Sequence, residues 1–257
     1  MNSHKDADTS DRAESCPEAY EKMAGSYHAK RFGSRRGRYD LSETMHHLQY
    51  LMQELNLGAR TLNVLDVACG TGKVSIPLAE WGANVTCFDA SQGMLQQCCQ
   101  RAVDNQVEHN CLPKRGNAEQ LPFETGWFDF AISTRFLHLF PLSSYPIFIN
   151  EMIRVLRPGG YVVVEIKNRY YGLVAGLVRY WRQTWQGKIA TSSMSLSEIQ
   201  QLQNKLICGR ITRISGCQLP KAQWFPSESY AAAVLRRLAR TVLSPISFFY
   251  FVVIRKE

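Results

Sequence analysis

No stretch of this 257-residue sequence carries the roughly 20 consecutive apolar residues that a membrane-spanning helix needs. The longest strongly apolar run, Ile246 to Ile254, is about half that length. The first sixteen residues, MNSHKDADTSDRAESC, contain no apolar run either. They read as a disordered polar leader and not as a signal peptide, so the expected location is cytoplasmic. The eight cysteines include no Cys-x-x-Cys spacing, and Cys98 and Cys99 are adjacent, a poor geometry for a bridge. Reduced thiols are therefore expected, with no metal site. Acid is scarce in the C-terminal third. From Asn168 onward thirteen Lys or Arg face three Glu, a surplus of ten, which leaves the first 167 residues at −2 within a total of +8. The basicity is local to the end of the chain, and peripheral membrane contact stays open there.

What is present suits a globular protein: 45% of residues are hydrophobic and 20% charged, enough for one α/β domain with a full core. PEAYEKMAGSYHAKRF, residues 17–32, is expected to be helical, with Tyr20, Met23 and Tyr27 on one face. The basic, glycine-containing link that follows reads as a mobile loop. From Leu41 to Leu55 apolar residues step by four and three as an amphipathic helix requires, and Gly58 ends it. The period then shortens. Strands are expected at 62–67, 84–88, 111–115, 128–133 and 161–166, alternating with helices, which implies a parallel sheet covered on both faces. Beyond it, residues 170–186 read as a helix. A further helix opens on the capping box Ser195-x-x-Glu198 and is expected to stop at Gly209. Strands near 210–215 and 247–254, flanking a helix at 228–242, are expected to close the sheet as an antiparallel pair.

The stretch VLDVACGTG, residues 64–72, joins a strand to a helix through a turn with two glycines. Missing Cβ atoms there let a ligand lie against the backbone, and the helix N-terminus offers free N–H groups. Asp89, at the end of the second strand, stands where a carboxylate can accept both hydroxyls of a ribose. A dinucleotide oxidoreductase would use the same acid, but its fingerprint wants a third glycine where this chain has Ser75.

Five segments together resemble one family. They are Asp66-x-Ala68-x-Gly70-x-Gly72, FDAS (Phe88 to Ser91), NAEQLPF (Asn117 to Phe123), FDFAIS (Phe128 to Ser133) and VLRPGGYVVV (Val155 to Val164). Their order and spacing resemble the class I S-adenosylmethionine-dependent methyltransferases, in particular the small-molecule branch, from about Tyr20 to Asn168. The resemblance implies a doubly wound, Rossmann-like, seven-stranded sheet with helical lid insertions, and S-adenosylmethionine as cofactor. It implies a 17–58 N-terminal lid, a 59–167 cofactor-binding core, and acceptor-recognition helices within 168–257, which also supplies the last two strands of the same domain.

By the same resemblance Asp66, Ala68, Gly70, Gly72, Asp89, Ala90, Met94, Asn117, Ala118 and Thr134 are the candidate cofactor-binding residues, and His138 and Tyr27 the candidate catalytic ones. Each has a plainer reading. Asp66 would simply cap the turn, Met94 would be core, Tyr27 would pack its helix, and His46 and His47 lie mid-helix, solvated or packed. Ala68 and Asn117 depart from the family pattern, which has a glycine and an acid there. The implied acceptor is a small or lipid-like molecule, anionic at one end if Trp181 and Trp185, beside Arg179 and Arg182, form a lid. An RNA methyltransferase using the basic C-terminal third with Trp181, Trp185, Trp224 and Tyr230, or a donor-binding protein without catalysis, are the competing readings, and nucleic acid is disfavoured because no RNA-binding module is visible.

Overall fold

The computed structural model describes residues 18, 20–30, 33–57, 61–170, 192–218, 230–241 and 247–257. Apart from Tyr170, the helix expected at 170–186 lies outside them, as do Trp181, Trp185 and Trp224.

Seven strands form one sheet: β1 (Asn63–Val67), β2 (Asn84–Asp89), β3 (Cys111–Arg115), β4 (Phe128–Ser133), β5 (Leu156–Lys167), β6 (Gly209–Cys217) and β7 (Phe249–Lys256). Their spatial order is β3-β2-β1-β4-β5-β7-β6. The first five are parallel, and β7 runs antiparallel to both β5 and β6. The expected α/β, mostly parallel sheet with an antiparallel C-terminal pair is therefore the observed one. Helices α1 (residues 20–30), α2 (Arg35–Glu54), α3 (Ser75–Glu80), α4 (Gln92–Asp104), α5 (Tyr145–Val155), α6 (Leu196–Leu202) and α7 (Tyr230–Arg240) surround it. Among the described residues no helix is long and apolar enough to cross a membrane.

Strand alternation divides the core in two. Val162, Val164 and Ile166 of β5 pack with Phe148, Ile149 and Met152 of α5 on one face. Val163 joins Phe251 and Val253 of β7 with Leu48 and Leu51 of α2 on the other. Continuous burial of β4 on both faces is what a parallel central strand requires.

Three boundaries differ from expectation. From Arg35 to Asp40 the basic link is helical and not a loop. Helix α2 starts at Arg35 because the Ser34 hydroxyl accepts from the Gly37 N–H at 3.0 Å, a cap the apolar periodicity does not reveal. Strand β5 begins at Leu156, five residues early, running through Gly159, whose φ of +76° only glycine adopts without strain. Helix α6 ends at Leu202 rather than at Gly209. The Gln203 side chain takes over, its Nε2 donating to the Gly209 carbonyl at 2.8 Å and its Oε1 accepting from the Ile211 N–H at 2.6 Å, which turns the chain into β6.

His47, on α2, is packed: its Nε2 hydrogen-bonds to the Ser215 hydroxyl at 2.8 Å and its ring lies 4.7 Å from that of Phe251. Burial, reinforced by Arg240 and Arg213, pushes its pKa down to about 3.

Candidate active site

The turn between β1 and α3 is built from residues with positive φ: Ala68 (+59°), Gly70 (+55°) and Gly72 (+73°). An alanine in the left-handed region costs roughly 1–2 kcal/mol, so the motif's preference for glycine at position 68 has a backbone cause. The two glycines serve different ends. A methyl group placed on Gly70 would meet nothing within 4 Å, whereas one on Gly72 would stand 2.6 Å from the Cys98 sulfur on α4. Gly70 leaves space above the turn, and Gly72 lets α3 and α4 approach beneath it.

Asp66 lies below the turn. It is 1% exposed, and its Oδ2 accepts from the Ser75 hydroxyl at 2.6 Å. Burial pushes its pKa up to about 7, against the Ser75 hydrogen bond and the Lys73 charge, which favour the carboxylate. Asp89 is held from two sides: Oδ2 accepts from the Gly70 N–H at 2.8 Å and Oδ1 from the Ser91 N–H at 2.9 Å. Burial raises its pKa, and those backbone donors oppose the shift. Each oxygen keeps a lone pair for a further donor.

A cavity of about 590 Å³ opens over this turn, within the range of small-molecule sites. Of the residues singled out in the sequence, Tyr27, Ala68, Gly70, Asp89, Ala90 and Met94 stand in its wall, as do Asn117, Ala118 and Thr134. Asp66, Gly72 and His138 do not. For Asp66 and Gly72 the reason is the inward direction of the side chain or Cβ. His138 sits in a single 3₁₀ turn, Leu137–Leu139, and its carbonyl accepts from the Ser192 N–H at 2.9 Å. After β4 the cavity wall is formed by Thr134, Arg135 and Phe136, and not by His138.

Two walls come from elsewhere in the chain. Helix α1 brings Tyr20 and Tyr27, edge to face with ring centroids 5.8 Å apart. Its Glu21 accepts from the Ser91 hydroxyl at 2.6 Å and from the Gly93 N–H at 2.9 Å, contacts that hold its pKa below the ordinary carboxylate value. His28 hydrogen-bonds to the Thr71 hydroxyl at 3.1 Å, so α1 is tied to both the turn and the start of α4. Opposite, Phe136, Leu139, Phe140 and Phe148 give an apolar wall in which Phe136 and Phe140 pack 4.9 Å apart. Sequence reasoning missed Glu21 and Arg135, because their partners are remote in the chain. Glu119, also in the wall, was signalled only by its place two residues after Asn117, whose Oδ1 accepts from its N–H at 3.0 Å.

Residues 64–160 match the family model described as a methyltransferase domain. The chain is 35% identical over 144 residues to a demethylmenaquinone methyltransferase of Beutenbergia cavernae, covering 55% of this chain and 57% of that one. It is 31% identical over 159 residues to a malonyl-(acyl-carrier protein) O-methyltransferase of Salmonella typhimurium, covering 62% and 58%. The chain spans about half the length of the curated relatives it matches. In fold it is similar to a magnesium protoporphyrin IX methyltransferase from Synechocystis, solved with bound S-adenosylhomocysteine, with a TM-score of 0.69, 14% identity, and coverage of 96% of this chain and 100% of that one. Residues 64–160 thus match a methyltransferase domain, and the seven-stranded sheet has the class I S-adenosylmethionine-dependent methyltransferase fold.

Proposed function

We propose that the protein transfers the methyl group of S-adenosylmethionine to a small-molecule acceptor. The observation that carries this reading is the open space over Gly70 beside a carboxylate, Asp89, which lines the same cavity and whose two oxygens are each held by a backbone N–H. When bound, S-adenosylmethionine supplies an activated methyl on a sulfonium, so the protein's task is alignment more than activation.

The residues present fit that group. Asp89 would accept from the ribose hydroxyls, the bare backbone at Gly70 would admit the methionine end, and the loop Asn117 to Glu119 would flank the adenine. Tyr20 and Tyr27 on α1 would cover the donor, with α1 acting as a lid held by Glu21 and His28. Holding donor and acceptor in line can contribute roughly 7 to 11 kcal/mol to lowering the barrier. Tyr27, in the wall, is the candidate to touch the reacting groups; His138, outside the wall, is assigned no contact with them. The acceptor would lie against the apolar wall of Phe136, Leu139 and Phe140.

Calorimetry with S-adenosylhomocysteine and transfer of labelled methyl from S-adenosylmethionine into the small-molecule fraction of a cell extract test the proposal. Micromolar binding with incorporation supports it. Absence of binding overturns it, and binding without incorporation favours a donor-binding protein without catalysis.

A further inference from the structure

Arg135 combines three features that burial and packing alone do not call for. It follows β4 with a φ of +59°, a conformation that strains any side chain but glycine. Its Nε contacts Oε1 of Glu165 at 2.9 Å, with the Arg135 side chain 14% and the Glu165 side chain 1% exposed. Apart from this ion pair, Glu165 accepts no hydrogen bond among the described residues. A carboxylate so buried and so poorly satisfied does not stabilise a fold well, since its desolvation offsets most of the attraction. It does fix the direction of the guanidinium. Two further contacts do the same: Nη2 donates to Oε1 of Gln218 at 3.3 Å, and the guanidinium carbon lies 4.0 Å from the centre of the Phe249 ring. Nη1 has no acceptor among the described residues, and Arg135 stands in the cavity wall next to Phe136.

The position along the sheet separates this group from the donor end. Asp89 ends β2 and Arg135 follows β4, with β1 between them. At about 4.8 Å per strand, the two ends lie about 10 Å apart along the sheet edge. A guanidinium donates only, so whatever meets it must accept, and an anionic oxygen makes the shorter, stronger pair. The same cavity wall is apolar at Phe136, Leu139 and Phe140.

We infer that Arg135, oriented by Glu165, Gln218 and Phe249, selects an acceptor with an apolar body and an anionic oxygen group, a carboxylate above all. This rests on the methyltransferase reading for the name acceptor, but not for the binding itself.

The test is calorimetry on the full chain saturated with S-adenosylhomocysteine, using two matched pairs of probes: octanoate with octanamide, and 3-phenylpropanoate with 3-phenylpropanamide. In at least one pair the acid is expected to bind tenfold or more tightly than its amide. Arg135→Gln is expected to abolish that preference while S-adenosylhomocysteine affinity stays within twofold. Equal binding within both pairs, no binding by either acid, or a preference that survives Arg135→Gln overturns the inference. If Arg135→Gln does not fold, the wild-type comparison still decides. Failure of S-adenosylhomocysteine to bind would overturn the methyltransferase reading alone, and the acid preference is then read on the unloaded protein.

Discussion

The backbone N–H of Gly70 donates to Oδ2 of Asp89 across 2.8 Å, tying the tip of the turn after β1 to the acid that ends β2. Two elements that a cofactor would touch thus hold each other in place before it arrives. Such preorganisation reduces the ordering cost of binding.

Asp89→Ala is expected to weaken S-adenosylhomocysteine binding by at least about 100-fold. Two hydrogen bonds to a charged group are removed, each worth roughly 1.5–3 kcal/mol. The loss also frees the Gly70 and Ser91 N–H groups from their shared acceptor. Calorimetry on a variant whose circular dichroism is unchanged checks it, and an affinity within threefold of wild type refutes the ribose role.

Much of this arrangement was legible in the sequence, and the reasons differ by element. Strand β4 falls on its expected residues because it carries one buried apolar run, whereas β3, CLPKR and largely exposed, has no such run and is placed by the alternation of strands and helices around it. The glycine turn and Asp89 were legible because motif and ligand chemistry coincide in one short stretch. Which motif residues face the cavity was not. Gly72 and Asp66 belong to the same turn as Gly70, yet point into packing, a fact set by α4 and Ser75. Glu21 and Arg135 gave no signal, since their partners Ser91 and Glu165 are far along the chain and no local pattern couples them.

Helix α1 should dock in a pH-dependent way through Glu21. Its carboxylate has a folded-state pKa below the ordinary 4.5, so the contribution to docking is fully present above that value and is lost as pH falls through the lower folded value. Glu21→Gln should speed hydrogen exchange of residues 20–30 severalfold at pH 7 and flatten its acid dependence. Gly93→Ala should speed the same exchange without changing charge, because its methyl would stand 2.9 Å from the Ala24 Cβ and 3.0 Å from Glu21 Oε1. Unchanged exchange in both variants would show that these contacts do not hold the helix.

Asp66 should make the fold lose stability as pH rises from about 4 to about 7. Its folded pKa is raised to about 7 from 3.8, chiefly by burial, so the folded state binds the extra proton between those values. Stability contributed by the neutral form is complete below about pH 4 and declines as pH rises to about 7, by up to about 4 kcal/mol at 1.36 kcal/mol per unit. Asp66→Asn should remove that slope from denaturant unfolding measured between pH 5 and 8. A slope unchanged by the substitution would assign it to another group.

Gly70→Ala and Gly72→Ala should fail in different ways, although they alter neighbouring positions of one turn. Both place an alanine at positive φ, a strain of roughly 1–2 kcal/mol that the turn already carries at Ala68. At Gly70 the added methyl meets nothing and enters the space over the turn, so the fold should survive while S-adenosylhomocysteine binding drops by tenfold or more. At Gly72 the methyl would stand 2.6 Å from the Cys98 sulfur and 3.3 Å from Ile76 Cγ1, an overpacking that typically costs about 1–3 kcal/mol more. Gly72→Ala should therefore show the lower Tm of the two. Cys98→Ala removes the obstructing sulfur, so the double variant Gly72→Ala, Cys98→Ala should recover part of that loss, whereas Cys98→Ala should do nothing for the binding defect of Gly70→Ala. Melting curves and calorimetry on the four variants separate the roles. Loss of binding by Gly72→Ala at full stability would show instead that both glycines face the cofactor.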